Sequence, residues 1–180
     1  DDTVTYRLAE DKYLLICNAN NRRTIVDWID RWRHARYPQT TINDATIDTV
    51  MIAVQGPAVA VIVDGLCPQH PSSLRFFGST QGVVSGRKAF IGRTGYTGED
   101  GFEVVLDAAD GPHIWRILMD HKMVPCGLGA RDVLRLEAGL ALHGNDIDTT
   151  TSPLEAGLDR FVRLGKDFAG ANALRHPQET

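Results

Sequence analysis

The residues with the clearest chemical potential lie in the stretch Arg93-Thr-Gly-Tyr-Thr-Gly-Glu-Asp-Gly-Phe-Glu103. Three glycines within seven residues call for special backbone angles or a close backbone approach. Among them stand an aromatic ring, Tyr96, and a carboxylate, Glu99. A ring beside a carboxylate on a fixed loop suits a flat heterocycle with adjacent N–H donors. The carboxylate accepts two parallel hydrogen bonds and the ring offers a stacking face. The same residues also fit a hairpin-like turn carrying a surface acid, and both readings stand at this point. A second candidate is the pair Asp1-Asp2. Adjacent carboxylates at a strand start are expected to point to opposite faces, so that one enters a site while the other stays in solvent. Composition alone favours a solvated acidic strand end.

Other patterns carry less. Gly127-Leu-Gly129-Ala-Arg-Asp132 superficially resembles a dinucleotide fingerprint. The third glycine is absent, no parallel βαβ frame surrounds it, and no acidic residue clearly follows on a second strand. It reads as a glycine turn joining a strand to a helix. There is no P-loop Gly-Lys-Ser/Thr, no Gly-x-Ser-x-Gly elbow and no His-Glu-x-x-His. The six histidines are scattered singly and give a metal site no support. Arg22, Arg23, Arg31, Arg33, His34 and Arg36 make the first helix basic. It reads as a solvated helix face in preference to a docking surface for an acidic partner.

The elements that must position these residues follow from periodicity. Val4, Tyr6 and Leu8 share one face of a strand over Thr3–Leu8, and Tyr13–Cys17 is a short apolar strand; the two form a hairpin. Asn18 to Asn21 offer N-cap side chains to an amphipathic helix over Arg22–Arg36. Strands are expected at Thr40–Asp44, Thr49–Gln55, Phe76-Phe77, Gln81–Ser85, Ala89–Arg93, Phe102–Leu106 and Met123–Cys126. Helices are expected at Pro57–Gly65, Gly111–Met119 (with Pro112 in its first turn), Ala130–Ala138 and, briefly, Leu154–Leu158. Short antiparallel strands with single helices between them indicate an α+β fold.

The chain has 180 residues, a net charge of −4, 43% hydrophobic and 23% charged residues. That is enough for one large or two small domains with a core, and too apolar for a disordered chain. The acidic balance argues against nucleic acid as a partner. The longest apolar run, Ala58–Val63, is far short of the ~20 residues of a membrane-spanning helix. Cys17, Cys67 and Cys126 are sparse and odd in number, as expected of reduced thiols in a cytosolic-type compartment.

With these residues in view, the chain resembles the aminomethyltransferase of the glycine cleavage system, the T-protein family. The resemblance is carried by Arg93–Glu103 and by Pro125-Cys-Gly-Leu-Gly-Ala-Arg-Asp-Val-Leu-Arg-Leu-Glu-Ala-Gly139. It is joined in order by Asp1-Asp2 leading into a strand, Cys17-Asn-Ala-Asn-Asn21, and Gly144-Asn-Asp-Ile-Asp148 through Ser152-Pro-Leu-Glu-Ala-Gly-Leu158. It implies a folate enzyme that takes an aminomethyl group from the lipoyl arm of the H-protein, releases ammonia and yields 5,10-methylenetetrahydrofolate. Tetrahydrofolate would be the co-substrate, with no metal. The resemblance makes Glu99 the pterin-binding carboxylate, places Tyr96 beside the folate, gives Arg131 a ligand-binding position, lines the pocket with Asn21 and Asn18, and makes Asp2 the catalytic aspartate. A cytoplasmic location is expected, or the mitochondrial matrix in a eukaryote.

The likeness has departures. His143 stands where the family commonly has Tyr, and Thr3 where an apolar residue is usual. Family members are longer at both ends, and their C-terminal β-rich domain supplies another Arg. The chain is therefore expected to be a fragment with weak or absent activity alone. Residues 48–143 are expected to form a central α+β unit, with 1–47 and 144–180 in a second, discontinuous one. Rival readings are a dimethylsulfoniopropionate demethylase, the folate domain of a sarcosine or dimethylglycine dehydrogenase, or a non-catalytic folate-binding protein. The last group carries a Lys-Gly-Cys-Tyr-type loop that this sequence lacks.

Overall fold

Period-two alternation over short segments builds two antiparallel sheets. The computed structural model describes residues 1–175. In chain order the elements are β1 (Val4–Arg7), β2 (Tyr13–Ile16), α1 (Arg22–Arg36), β3 (Thr49–Gln55), α2 (Val59–Leu66), β4 (Ser79–Val84), β5 (Arg87–Gly92), β6 (Gly101–Asp107), α3 (Gly111–Asp120), α4 (Leu128–Glu137) and α5 (Ala171–Arg175). The α+β class read from the sequence is the class observed. No helix among the described residues is long and apolar enough to cross a membrane. The chain divides into two units: Asp1–Arg22 with the segment from Ala141 onward, and Arg23–Leu140. Almost all of α1 thus falls in the unit that holds the larger sheet.

In the first unit β1 and β2 form an antiparallel hairpin, pairing Val4 with Ile16 and Tyr6 with Leu14. Tyr6 is its buried residue. In the second unit the sheet order is β3-β6-β5-β4, every neighbour antiparallel. One face is apolar. Ile52 and Val54 of β3, Phe102, Val104 and Leu106 of β6, and Ala89 and Ile91 of β5 pack against Val59 and Val63 of α2 and Ile114 and Leu118 of α3. Phe102 and Ile91 are fully buried, and each such side chain contributes about 1.5–3 kcal/mol by leaving water. Cys67 belongs to this core. Burial, with the Asp64 carboxylate adding to it, pushes its thiol up to about 11, which suits a packing residue and not a nucleophile.

Four expected elements are absent, each for a local reason. Thr40–Asp44 is irregular, and Asp44 instead accepts hydrogen bonds from the amide and hydroxyl of Thr46 at 3.2 and 2.7 Å. Phe76-Phe77 is a turn: Phe77 has φ +62° and its amide donates to the Arg93 carbonyl at 2.8 Å. Met123–Cys126 forms no strand because α3 ends in a left-handed cap at Lys122 (φ +64°), with the Met123 amide donating back to Leu118. Pro125 then has no amide to offer a ladder. At Leu154–Leu158, Ser152 and Glu155 exchange the bonds of a capping box, yet Gly157 turns left-handed at φ +68° and stops the helix at a single turn.

The alternation misses one buried charge. Arg135 on α4 is 4% exposed, pairs with Asp132 at 2.8 Å and donates to the Leu140 carbonyl at 3.1 Å. It ties the end of α4 to the segment that follows. Arg135→Met leaves that carbonyl without its donor, and is expected to lower unfolding stability by about 1–3 kcal/mol, read from a denaturant midpoint shift at constant slope.

Candidate functional site

The glycine-rich stretch is the loop joining β5 to β6. Its base is locked by charge. Arg93 donates to both carboxylate oxygens of Asp100, at 3.0 and 2.7 Å, and to the carbonyls of Ser72 and Leu74. The guanidinium holds the Asp100 carboxyl below the usual carboxylate range. Such a bidentate pair fixes orientation as well as distance.

The loop is then held from two further sides. Gln55, at the end of β3 and opposite Gly101 in the ladder, reaches its amide between the two arms of the loop. A Cβ on Gly95 or Gly101 would collide with that amide. Gly98 has φ +80°, and a Cβ there would come within 2.8 Å of the Cβ of Ala138, just beyond α4. The guanidinium of Arg131, also on α4, lies 4.8 Å from the centre of the Tyr96 ring. The special backbone expected of the three glycines is thus a close approach at two of them and a left-handed turn at the third.

The two acids differ sharply. Glu99 is exposed near the loop tip. Glu103 sits in β6 and is half-buried. Phe102 and Val104 point to the core, so Glu103 stands on the other face of the sheet. Its ladder partners are Ala53 on β3 and Gly92 on β5, both small residues. Burial pushes its carboxyl above the usual carboxylate range, and the Arg131 guanidinium pulls it back down. A half-buried acid with a raised pKa and one nearby cation is a recognised mark of a functional group. The sequence motif ends on Glu103, to which the sequence alone assigns no role. The available signal was the in–out alternation Phe102-Glu103-Val104, which sets a charge within a strand buried on its other side.

Beside the loop base lies the Phe76-Phe77 turn. Its rings pack at 4.5 Å between centroids, and each residue is about half exposed, at 54% and 50%. A bulky residue held at positive φ is strained backbone, which clusters at functional sites.

The other unit assembles a separate group. The Asn18 side-chain nitrogen donates to Asp1 Oδ1 at 2.6 Å and to Asp2 Oδ1 at 2.8 Å. This corrects the expectation that the two carboxylates part to opposite faces. They precede the first residue of β1, so strand alternation does not govern them. It also corrects the capping role of Asn18, whose side chain makes no bond to the helical turn Ala19–Asn21 that it precedes. Asn21 lies in that turn, with its amide bonded to the Asn18 carbonyl at 3.0 Å. The structure therefore joins Asp2 with Asn18 in one unit, and Tyr96, Arg131 and Glu103 in the other. Among the described residues, no three His, Cys, Asp or Glu side chains gather as metal ligands.

Fold and site together define an antiparallel α+β domain with a charge-locked aromatic loop and a half-buried carboxylate on the open face of its sheet. More particularly, the chain belongs to the family described as the GCVT N-terminal domain, which matches residues 1–166. It is 40% identical over 188 residues to the aminomethyltransferase of Corynebacterium aurimucosum, covering 99% of this chain and 50% of that protein. It is 41% identical over 187 residues to the aminomethyltransferase of Nostoc sp., covering 100% of this chain and 49% of that one. The crystal structure of glycine cleavage system aminomethyltransferase T from Bartonella henselae superposes with a TM-score of 0.74 at 33% identity, covering 89% of this chain and 42% of that chain. The chain spans about half the length of the curated relatives it matches.

Proposed function

We propose that this chain serves folate-dependent aminomethyl transfer in the glycine cleavage system, with tetrahydrofolate and an aminomethyl-lipoyl H-protein as substrates. The family and the names of its relatives support the reaction class. The observation that carries the folate reading is Glu103, half-buried between Ala53 and Gly92 with the Tyr96–Arg131 pair beside it. A pterin presents adjacent N–H donors on a flat edge. A half-buried carboxylate on the sheet face accepts both, and its partial burial keeps water from those bonds better than the exposed loop tip would.

The family resemblance assigns that role to Glu99. The geometry favours Glu103, because a pair formed at the exposed tip would be weakened by solvent. Tyr96, steadied by Arg131, offers a ring face, and the Phe76-Phe77 turn offers a second aromatic surface. Arg131 also balances the charge of Glu103.

The reaction conserves atoms simply. The transferred carbon loses its bonds to the amino nitrogen and the lipoyl sulfur, and gains bonds to two folate nitrogens. The two protons lost by those nitrogens leave with ammonia and the thiol. Cationic character grows at the carbon, and a fixed carboxylate facing it stabilises the transition state more than the ground state. Asp2 is proposed for that task, with Asn18 holding it and Asn21 lining the pocket.

The test is ammonia release from aminomethylated H-protein, followed with and without tetrahydrofolate. Folate-dependent release is expected. Release that ignores folate refutes the reading.

A further inference from the structure

We infer that Gln55 is the positioning residue of this site: its amide clamps the β5–β6 loop and so fixes Tyr96 with respect to Glu103. The ligand in this inference rests on the folate reading above, while the clamp rests on geometry alone. Gln55 ends β3 and pairs with Gly101, two register positions along from the Ala53–Glu103 pair. Step-two spacing puts Gln55 and Ala53 on one face of the sheet, the face that carries Glu103.

The Gln55 amide nitrogen donates to the carbonyls of Thr94, at 3.2 Å, and Phe102, at 3.4 Å. Those carbonyls lie on opposite arms of the loop. The amide oxygen accepts from the Thr97 hydroxyl at 3.4 Å, between the arms. The longer bonds are weak singly, but one side chain makes all three, so the loop cannot open at either arm without losing them together.

The glycines point the same way. Of the three in the loop, only Gly98 has positive φ. Gly95 and Gly101 need no unusual backbone. What they share is that a Cβ at either would occupy the space of the Gln55 amide. Their small size is therefore explained by the clamp. Glutamine is also the side chain that suits the place. Glutamate has the reach but lacks the donor for two carbonyls, and asparagine is one methylene short.

The test compares the parent full chain with Gln55→Leu, Gly95→Ala and their double variant, by amide hydrogen exchange and by tetrahydrofolate titration. Gln55→Leu is expected to speed exchange at residues 96–100 at least about tenfold and to weaken tetrahydrofolate binding about tenfold. Exchange at Ile91 and Val104 in the core should hold, which a merely structural defect would not allow. Gly95→Ala displaces the same amide, so the double variant should be no worse than Gln55→Leu alone. Unchanged loop exchange in Gln55→Leu, or additive effects in the double variant, overturns the clamp even where folate binds. Faster loop exchange in a chain whose parent does not bind tetrahydrofolate overturns the folate reading and upholds the clamp.

Discussion

Glu103→Gln is expected to weaken tetrahydrofolate binding about a hundredfold, close to 2.7 kcal/mol, while making the ligand-free chain more stable at neutral pH. The two effects have one cause. Charge-assisted hydrogen bonds are worth ~1.5–3 kcal/mol each against ~0.5–1.5 for neutral ones, and the pterin edge would lose two. Without ligand, the buried carboxyl has its pKa raised by desolvation, and Arg131 offsets this only in part. The sign follows from linkage. Below its unfolded pKa, near 4.3, the group is protonated in both states and contributes nothing. As pH climbs from there through the raised folded value, the unfolded chain ionises first and the fold loses stability. Glutamine removes that loss. Thermal melts across pH should show the parent losing stability relative to the variant over this window. Glu99→Gln is the control, and is expected to bind within about twofold of the parent, because exposed pairs are worth ~0–1 kcal/mol. Equal losses for both substitutions would return the pterin to the loop tip.

The second large effect concerns Asp2. Asp2→Asn keeps an oxygen able to accept from Asn18 and removes the negative charge. If that charge faces the carbon as it turns cationic, kcat should fall on the order of 10²–10³-fold, with little change in KM for tetrahydrofolate. A loss confined to kcat marks an interaction made only in the transition state. Asp1→Asn provides the comparison, since the same amide nitrogen holds it at 2.6 Å. The two variants together separate the carboxylate that acts from the one that shares its anchor. Steady-state kinetics with aminomethylated H-protein decides the matter, and an unchanged kcat for Asp2→Asn removes the residue from the mechanism.

Much of the fold was legible where periodicity was long. The helix over Arg22–Arg36 and the strand over Thr49–Gln55 appear with the bounds expected of them. The losses came where two to five residues had to decide alone. Met123–Cys126 looks like a strand until the cap on α3 takes the Met123 amide. Ser152–Glu155 starts a helix that Gly157 ends. Family resemblance picks Glu99 from a motif that holds both Glu99 and Glu103. Ranking them required the face each occupies, which is a property of register. Gln55 was invisible for a related reason: it lies far from the loop in sequence and meets it only through pairing of β3 with β6.

That pairing also sets the order in which the site can come into being. β4 with β5 and β5 with β6 are near neighbours along the chain, whereas Gln55 and Phe102 are 47 residues apart. Loop-closure entropy makes such a distant pairing slow relative to the hairpins. A chain leaving the ribosome can form the hairpins, with the glycine loop among them, once β6 has emerged. Until β3 adds itself to that edge, the loop lacks its clamp and Glu103 lacks one of its two strand neighbours. Completion of the sheet is therefore a step the site must wait for, with α4 and its Arg131 still to be placed.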